Sequence, residues 1–320
     1  MGVAVYVPLL AALLLGATAD PISRVLPPAT ATRALTAAAV VLSAATSFVL
    51  GVLAFTLLGR LRPVAELGRW SVASLSALDP VPQGVAGLAC AAVLVLGARG
   101  LRVGLRRCRA TLAVRALCLR LGGEPGQLVI LDDDADDVYA LPGARGRIVA
   151  SRSLLAALPA AERRAVLAHE AAHLRHHHHR YRAATELAVA VNPLLRSVVP
   201  AVRFATERWA DEEAALTTGD RAVVAHALAR VGVRRHSPPD PSGGWRTLAL
   251  DVTDSGTVAR VQALLAPPAR RRPAALLPLA ILVAITVSAS VEAQRDAEHL
   301  FEQARPAPPV SAVAVASSST

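Results

Sequence analysis

Four apolar stretches, Val3 to Ala19, Leu35 to Leu58, Val85 to Ala98 and Ala274 to Val291, approach the about 20 residues that a helix needs to cross a bilayer. No other feature narrows the fold as much. A backbone inside hydrocarbon must satisfy its own hydrogen bonds, and in single runs of this length only a helix does so. The residues that fill the runs agree with that. Apolar types make up 53% of the chain, charged types 18% and aromatics only 3%, with a mean hydropathy of +0.44, so the apolar content is the Ala, Leu and Val of long helices. The first run ends in Ala17-Thr18-Ala19, like a signal-peptidase site, but no basic residue precedes it and it is expected to be retained as a span.

The formal charge of +10 comes entirely from arginine. No helix-turn-helix, zinc-finger or RNA-binding signature accompanies it, so nucleic acid is not an expected partner. The arginines cluster beside apolar runs instead, as Arg99, Arg102, Arg106, Arg107 and Arg109 and as Arg270, Arg271 and Arg272. Positive loops stay in the cytoplasm, so the segment between these clusters is expected there, with membrane lipid as a partner of the flanking spans. The tail carries Glu292, Asp296, Glu298 and Glu302 and falls outside, whereas the loop expected from Gly59 to Gln83 carries Arg60, Arg62 and Arg69 on that side, mildly against the rule. Cys90, Cys108 and Cys118 have no metal-binding spacing and read as structural.

The expected fold class is mainly α: a multi-span membrane protein of the plasma membrane with a cytoplasmic α+β domain. Residues 1–99 hold three spans, 100–273 the cytoplasmic domain, 274–293 a fourth span and 294–320 a short disordered extracytoplasmic tail. Pro306 to Thr320 lacks periodicity and reads as disordered. Short strands are expected at Leu128 to Leu131, Tyr139 to Leu141 and Arg147 to Ala150, with Pro142-Gly143 breaking the last two. The acidic run Asp132 to Asp137 lacks the Gly and closing Glu of a calcium loop and reads as a solvated turn. From Ala160 the pattern is helical as far as Pro193, and a further helix covers about Val202 to Leu216.

His169-Glu170-Ala171-Ala172-His173 is an HExxH sequence. On a helix its two histidines project from one face a turn apart and can hold one Zn²⁺, while Glu170, about 100° around, can reach an activated water without ligating the metal. The surrounding Ala, Val and Leu argue against a solvated helix face. Two residues compete to be the third ligand. His179 holds the last place of the longer HExxHxxGxxH pattern, but His176 replaces its Gly, so the helix is expected to continue and carry His179 about 15 Å from His169. Glu207 lies on the next helix with Asp211 one turn later, supplying a ligand and an acceptor for a ligating histidine N–H. The run His176 to His179 then reads as a solvated helix end, and Trp209 as packing.

These residues resemble membrane-embedded gluzincin peptidases of the HtpX and CAAX-prenyl-protease type, and more closely the antirepressor peptidases of β-lactam sensor-transducers. The resemblance runs from about Val129 to Leu265. It rests on Ala140-Leu141-Pro142-Gly143, Leu154-Leu155, Val166-Leu167-Ala168 before HExxH, Asn192-Pro193, ExxxD at Glu207, and Arg260-Val261 with Leu264-Leu265. It implies a zincin-like domain with Zn²⁺ on His169, His173 and Glu207, and Glu170 as base. The strand Arg147, Ile148, Val149 and Ala150 would pair with an extended substrate as an edge strand. Arg260 would orient that substrate, stabilise an oxyanion, or serve as an ordinary salt-bridged arginine. The implied activity is endopeptidase hydrolysis of a protein or peptide, such as a cytoplasmic transcriptional repressor or misfolded membrane proteins. No penicillin-binding sensor is expected after the last run. A catalytically silent transducer would need no general base, and a metal transporter would place ionisable residues inside the apolar runs.

Overall fold

The computed structural model describes residues 3–120, 124–132, 137–143, 146–234, 254–269 and 273–305. Arg270 to Arg272, Asp133 to Asp136 of the acidic run and the tail from Pro306 lie outside them. The described chain is mostly helical: α1 (Val7–Val25), α2 (Pro28–Leu58), α3 (Arg62–Gly68), α4 (Val72–Leu78), α5 (Gln83–Arg120), α6 (Arg152–Ala157), α7 (Ala160–Arg175), α8 (His178–Val191), α9 (Val198–Thr218), α10 (Arg221–Arg234), α11 (Asp254–Leu265) and α12 (Leu277–Gln303). The three strands are β1 (Leu128–Leu131), β2 (Val138–Leu141) and β3 (Arg147–Ser151). Four helical stretches, Ala4–Val25, Pro28–Leu58, Gln83–Arg120 and Ala274–Gln303, are long and apolar enough to cross a membrane.

Two boundaries differ from expectation. The third apolar run is the start of a 38-residue helix, because nothing between Val85 and Arg120 breaks it: the arginines after Ala98 have good helix propensity and no proline intervenes. The final helix continues ten residues past 293, so Gln294 to Gln303 are helical and not part of a disordered tail.

The described residues form two compact units. One comprises Met1–Pro8, Ala45–Val95 and Ala284–Thr320. In it the segment between Gly59 and Gln83, expected as a loop, folds into α3 and α4. Trp70, Phe55 and Phe301 form a tilted aromatic cluster there, and the Trp70 indole N–H donates to the Gly59 carbonyl at 2.8 Å.

The other comprises Leu9–Ala44 and Leu96–Val283 and carries the site residues. Its sheet has the order β1-β3-β2, with β1 parallel and β2 antiparallel to β3. This overturns the edge-strand reading of Arg147, Ile148, Val149 and Ala150. They lie on the central strand, paired on both sides and buried throughout, so no backbone edge remains there for a substrate. The Arg147 side chain, wholly buried, donates instead to the Glu124 carbonyl. An outer position in the sheet belongs to β2, which packs on α7. Leu154, Leu155, Ala165, Val166, Ala214 and Val224 fill the core that fixes α7, α9 and α10 together.

Candidate metal centre

Helix α7 begins after Pro159, with Glu162 favourably placed in its first turn, and ends at Arg175. Its expected continuation through the histidine run does not occur. His176 caps the helix, and His177 adopts a left-handed backbone (φ 51°, ψ 43°), a conformation more accessible to His than to most non-glycine residues. The chain reverses and α8 starts at His178. His178 is only 1% exposed, so the solvated helix end is also overturned. His176 stacks on Trp209 with ring centroids 4.6 Å apart, and its Nε2 lies 3.3 Å from Glu213.

The reversal lets α9 lie along α7. His169 Nε2 and His173 Nε2 are 3.1 Å apart, and each is 3.4 Å from a Glu207 carboxylate oxygen. Tetrahedral zinc with ligands at about 2.1 Å requires donors about 3.4 Å apart, and the three side chains stand near that spacing. They are the one metal-competent His/Cys/Asp/Glu group among the described residues. Glu170, half-buried, is the neighbour of His169 on α7, and its charge acts on Arg260.

Behind the ligands stands a second layer. His169 Nδ1 is 2.9 Å from Asp211 Oδ1, which directs the Nδ1 proton to the carboxylate and leaves the Nε2 lone pair toward the metal position. Arg260, on α11, donates to both Asp211 oxygens at 2.8 and 2.7 Å and to Glu207 at 2.9 Å. Its buried guanidinium is committed to these carboxylates, in line with the salt-bridged alternative for Arg260. Arg182, on α8, donates to Glu207 and to Thr206. His178 Nδ1 sits 2.9 Å from His173 Nδ1. Ligation through His173 Nε2 puts a proton on Nδ1, so His178 must accept it with a neutral ring.

Charge follows this geometry. Burial disfavours the Glu207 carboxylate, but Arg260, His173 and Arg182 outweigh it and hold the group well below the usual range. Asp211 is likewise depressed against burial, chiefly by Arg260. Burial lowers His169 too, yet hydrogen bonds to Asp211 and Glu207 raise it to about 9 in the metal-free site. Burial, then Arg182, presses His178 down to about 3, so it stays neutral as its acceptor role requires.

Two carboxylates and two histidines set on facing helices, with an HExxH glutamate beside them, are the chemistry of a hydrolytic zinc site. Residues 114–237 match the model of peptidase family M48. No curated protein and no solved structure matches the chain. M48 peptidases are zinc metallopeptidases, and the matched stretch contains the sheet, α7, α8 and α9, with His169, Glu170, His173, Glu207 and Asp211. It stops before Arg260. Arg182 and His178 were missed by sequence reasoning. Arg182 follows His178 by one turn on α8, but only the reversal at His177, which no Gly or Pro announces, turns that face toward the metal position.

Proposed function

We propose that the chain is a membrane-anchored, zinc-dependent endopeptidase with its catalytic segment in the cytoplasm. The observation that carries this reading is the pair of histidine nitrogens 3.1 Å apart, each 3.4 Å from one of the two Glu207 carboxylate oxygens, with a glutamate outside this group next to His169. Bound there, zinc would supply Lewis acidity to a peptide carbonyl and acidify a water. The remaining steps belong to the chain. His169, His173 and Glu207 hold the ion, and Asp211, Arg260, Arg182 and His178 fix their directions. Glu170 takes the proton of the attacking water and returns it to the leaving amine.

The four long apolar helices support anchoring, and the arginine-rich start of the segment after the third of them supports its cytoplasmic side. Asn192-Pro193 and the order of spans favour a cytoplasmic transcriptional repressor as target, with membrane-protein quality control as the second reading. Zinc content and cleavage of an unfolded protein by detergent-purified chain, wild type against Glu170→Gln, test the activity. Equal zinc with cleavage by wild type alone is expected. Stoichiometric zinc with no cleavage by either would favour a silent transducer, and zinc in neither would remove the site.

A further inference from the structure

The unit that bears the metal site also holds a groove of about 250 Å³ between α5 and α8, lined by Val103, Gly104, Arg107, Ala183, Ala184 and Leu187. Small residues make it. At Gly104 a Cβ would meet nothing within 4 Å, whereas one turn earlier, at Gly100, it would stand 2.6 Å from a Val191 methyl. The two helices therefore close on each other at that end. Arg107 lies one turn past Gly104, toward the other.

That other end adjoins the metal site. Arg182 directly precedes Ala183 on α8 and donates to Glu207, and Arg107 feels the charges of both Arg182 and Arg203. Glu186, one turn after Arg182, pairs with Arg107 and, at 3.2 Å, with Arg203, which itself lies one turn before Glu207. Two guanidiniums thus share that carboxylate beside the groove. Arg107 has no other acidic partner among the described residues, and its side chain is 38% exposed. A guanidinium carries five N–H donors, so Arg107 can take a second carboxylate without releasing Glu186.

We infer that this groove is a substrate subsite that takes one apolar side chain of a peptide between α5 and α8 and seats an adjoining acidic side chain on Arg107. The inference rests on the peptidase reading and deepens it with a substrate class: segments in which an apolar residue neighbours Asp or Glu. The size of the groove fits a side chain, since sites for whole drug-sized ligands start at about 300 Å³. Its charge selects an acid. A basic side chain in the same place would face Arg107, Arg182 and Arg203 and be repelled.

Binding is read on the detergent-purified full chain, loaded with zinc and carrying Glu170→Gln so that no probe is cleaved. The probes are short fluorescein-labelled peptides of Ala and Ser that contain a Leu-Glu pair, a Leu-Gln pair, an Ala-Glu pair, or Leu and Glu set far apart. Anisotropy at near-physiological salt gives their affinities. Leu-Glu should bind at least about tenfold tighter than the other three, the gain expected of a charge-assisted hydrogen bond and a filled apolar slot. Arg107→Gln should bring the ratio of Leu-Glu to Leu-Gln to about one, and Gly104→Leu, which fills the groove, should weaken Leu-Glu to the level of Ala-Glu. Equal binding of all probes, or a preference that survives both substitutions, overturns the subsite. Equal binding of the adjoining and separated Leu and Glu would show attraction to net charge alone and overturn it as well. If Arg107→Gln releases zinc, it reports on folding and Gly104→Leu decides. Cleavage of an unfolded protein by the chain with Glu170 intact is scored separately. Cleavage without probe preference removes the subsite and leaves the peptidase, whereas preference without cleavage removes the peptidase and leaves a peptide-binding groove.

Discussion

His169 and His173 stand one turn apart on α7 and face the same carboxylate, yet the groups behind them differ in kind. Behind His169 is an ionised carboxylate, Asp211, itself gripped by the buried guanidinium of Arg260. Behind His173 is a second imidazole, His178, held neutral by burial and by Arg182. A carboxylate acceptor both orients a ligating ring and makes its other nitrogen more basic, whereas a neutral acceptor chiefly orients. On the proposed zinc reading, one half of the site would set the strength of the metal bond and the other its direction.

The comparison has meaning only if the triad is the metal site, and that carries the largest expected effect. Glu207→Gln should weaken zinc binding by more than about 100-fold, since each ligand of a tight site contributes several kcal/mol. Competition with a chromophoric chelator measures it; retained affinity would move the metal elsewhere. The contrast is then broken or kept by the supporting groups. Asp211→Asn should cost about 10- to 100-fold in affinity, and His178→Leu about 10-fold or less, with His178→Asn recovering part of the loss because its amide oxygen can accept the His173 proton. Equal losses at Asp211 and His178, or no recovery with asparagine, would mean that the two backings do the same job.

The same asymmetry predicts a pH dependence. In the metal-free site burial lowers His169, but hydrogen bonds to Asp211 and Glu207 raise it to about 9, above its ordinary value of 6.5. A raised value stabilises the fold fully below about 6.5, and that contribution is lost as pH rises through 9. Zinc needs the unprotonated ring, so its affinity should climb about tenfold per pH unit below 9 and then level off. Thermal melts with chelator should thus weaken from pH 6.5 to 9 while zinc affinity strengthens. Parallel trends would show that His169 does not hold the displaced proton.

Much of the site could be read from the residues: HExxH fixes two ligands by helix periodicity, and Glu207 with Asp211 share a face of the following helix. What could not be read was tertiary. Ile148 and Val149 have the same β-branched, apolar character on a central strand as on an edge, so only the pairing of β1 and β2 with β3 decides that it is central. Arg260, as an isolated arginine, gives no sign that two carboxylates from α9 will claim it.

The failure at the histidine run has its own physical cause and gives the smallest prediction. Helix breaks are read from Gly and Pro, and His177 turns the chain at positive φ without either. That conformation costs a non-glycine residue about 1 kcal/mol or more from its Cβ, and glycine relieves the clash while adding entropy to the unfolded chain. His177→Gly should therefore stabilise the fold by at most about 1 kcal/mol, seen as a small rise in melting temperature. Its exposed ring meets His179 edge-on and lies outside the triad, so zinc affinity should stay unchanged. His177→Val should do the reverse, because a β-branched residue resists this turn most, and by loosening the reversal it should withdraw His178 from His173 and lower zinc affinity. If glycine at 177 lowered zinc affinity as much as His178→Leu, the ring of His177 would belong to the metal centre and the division between its two halves would need redrawing.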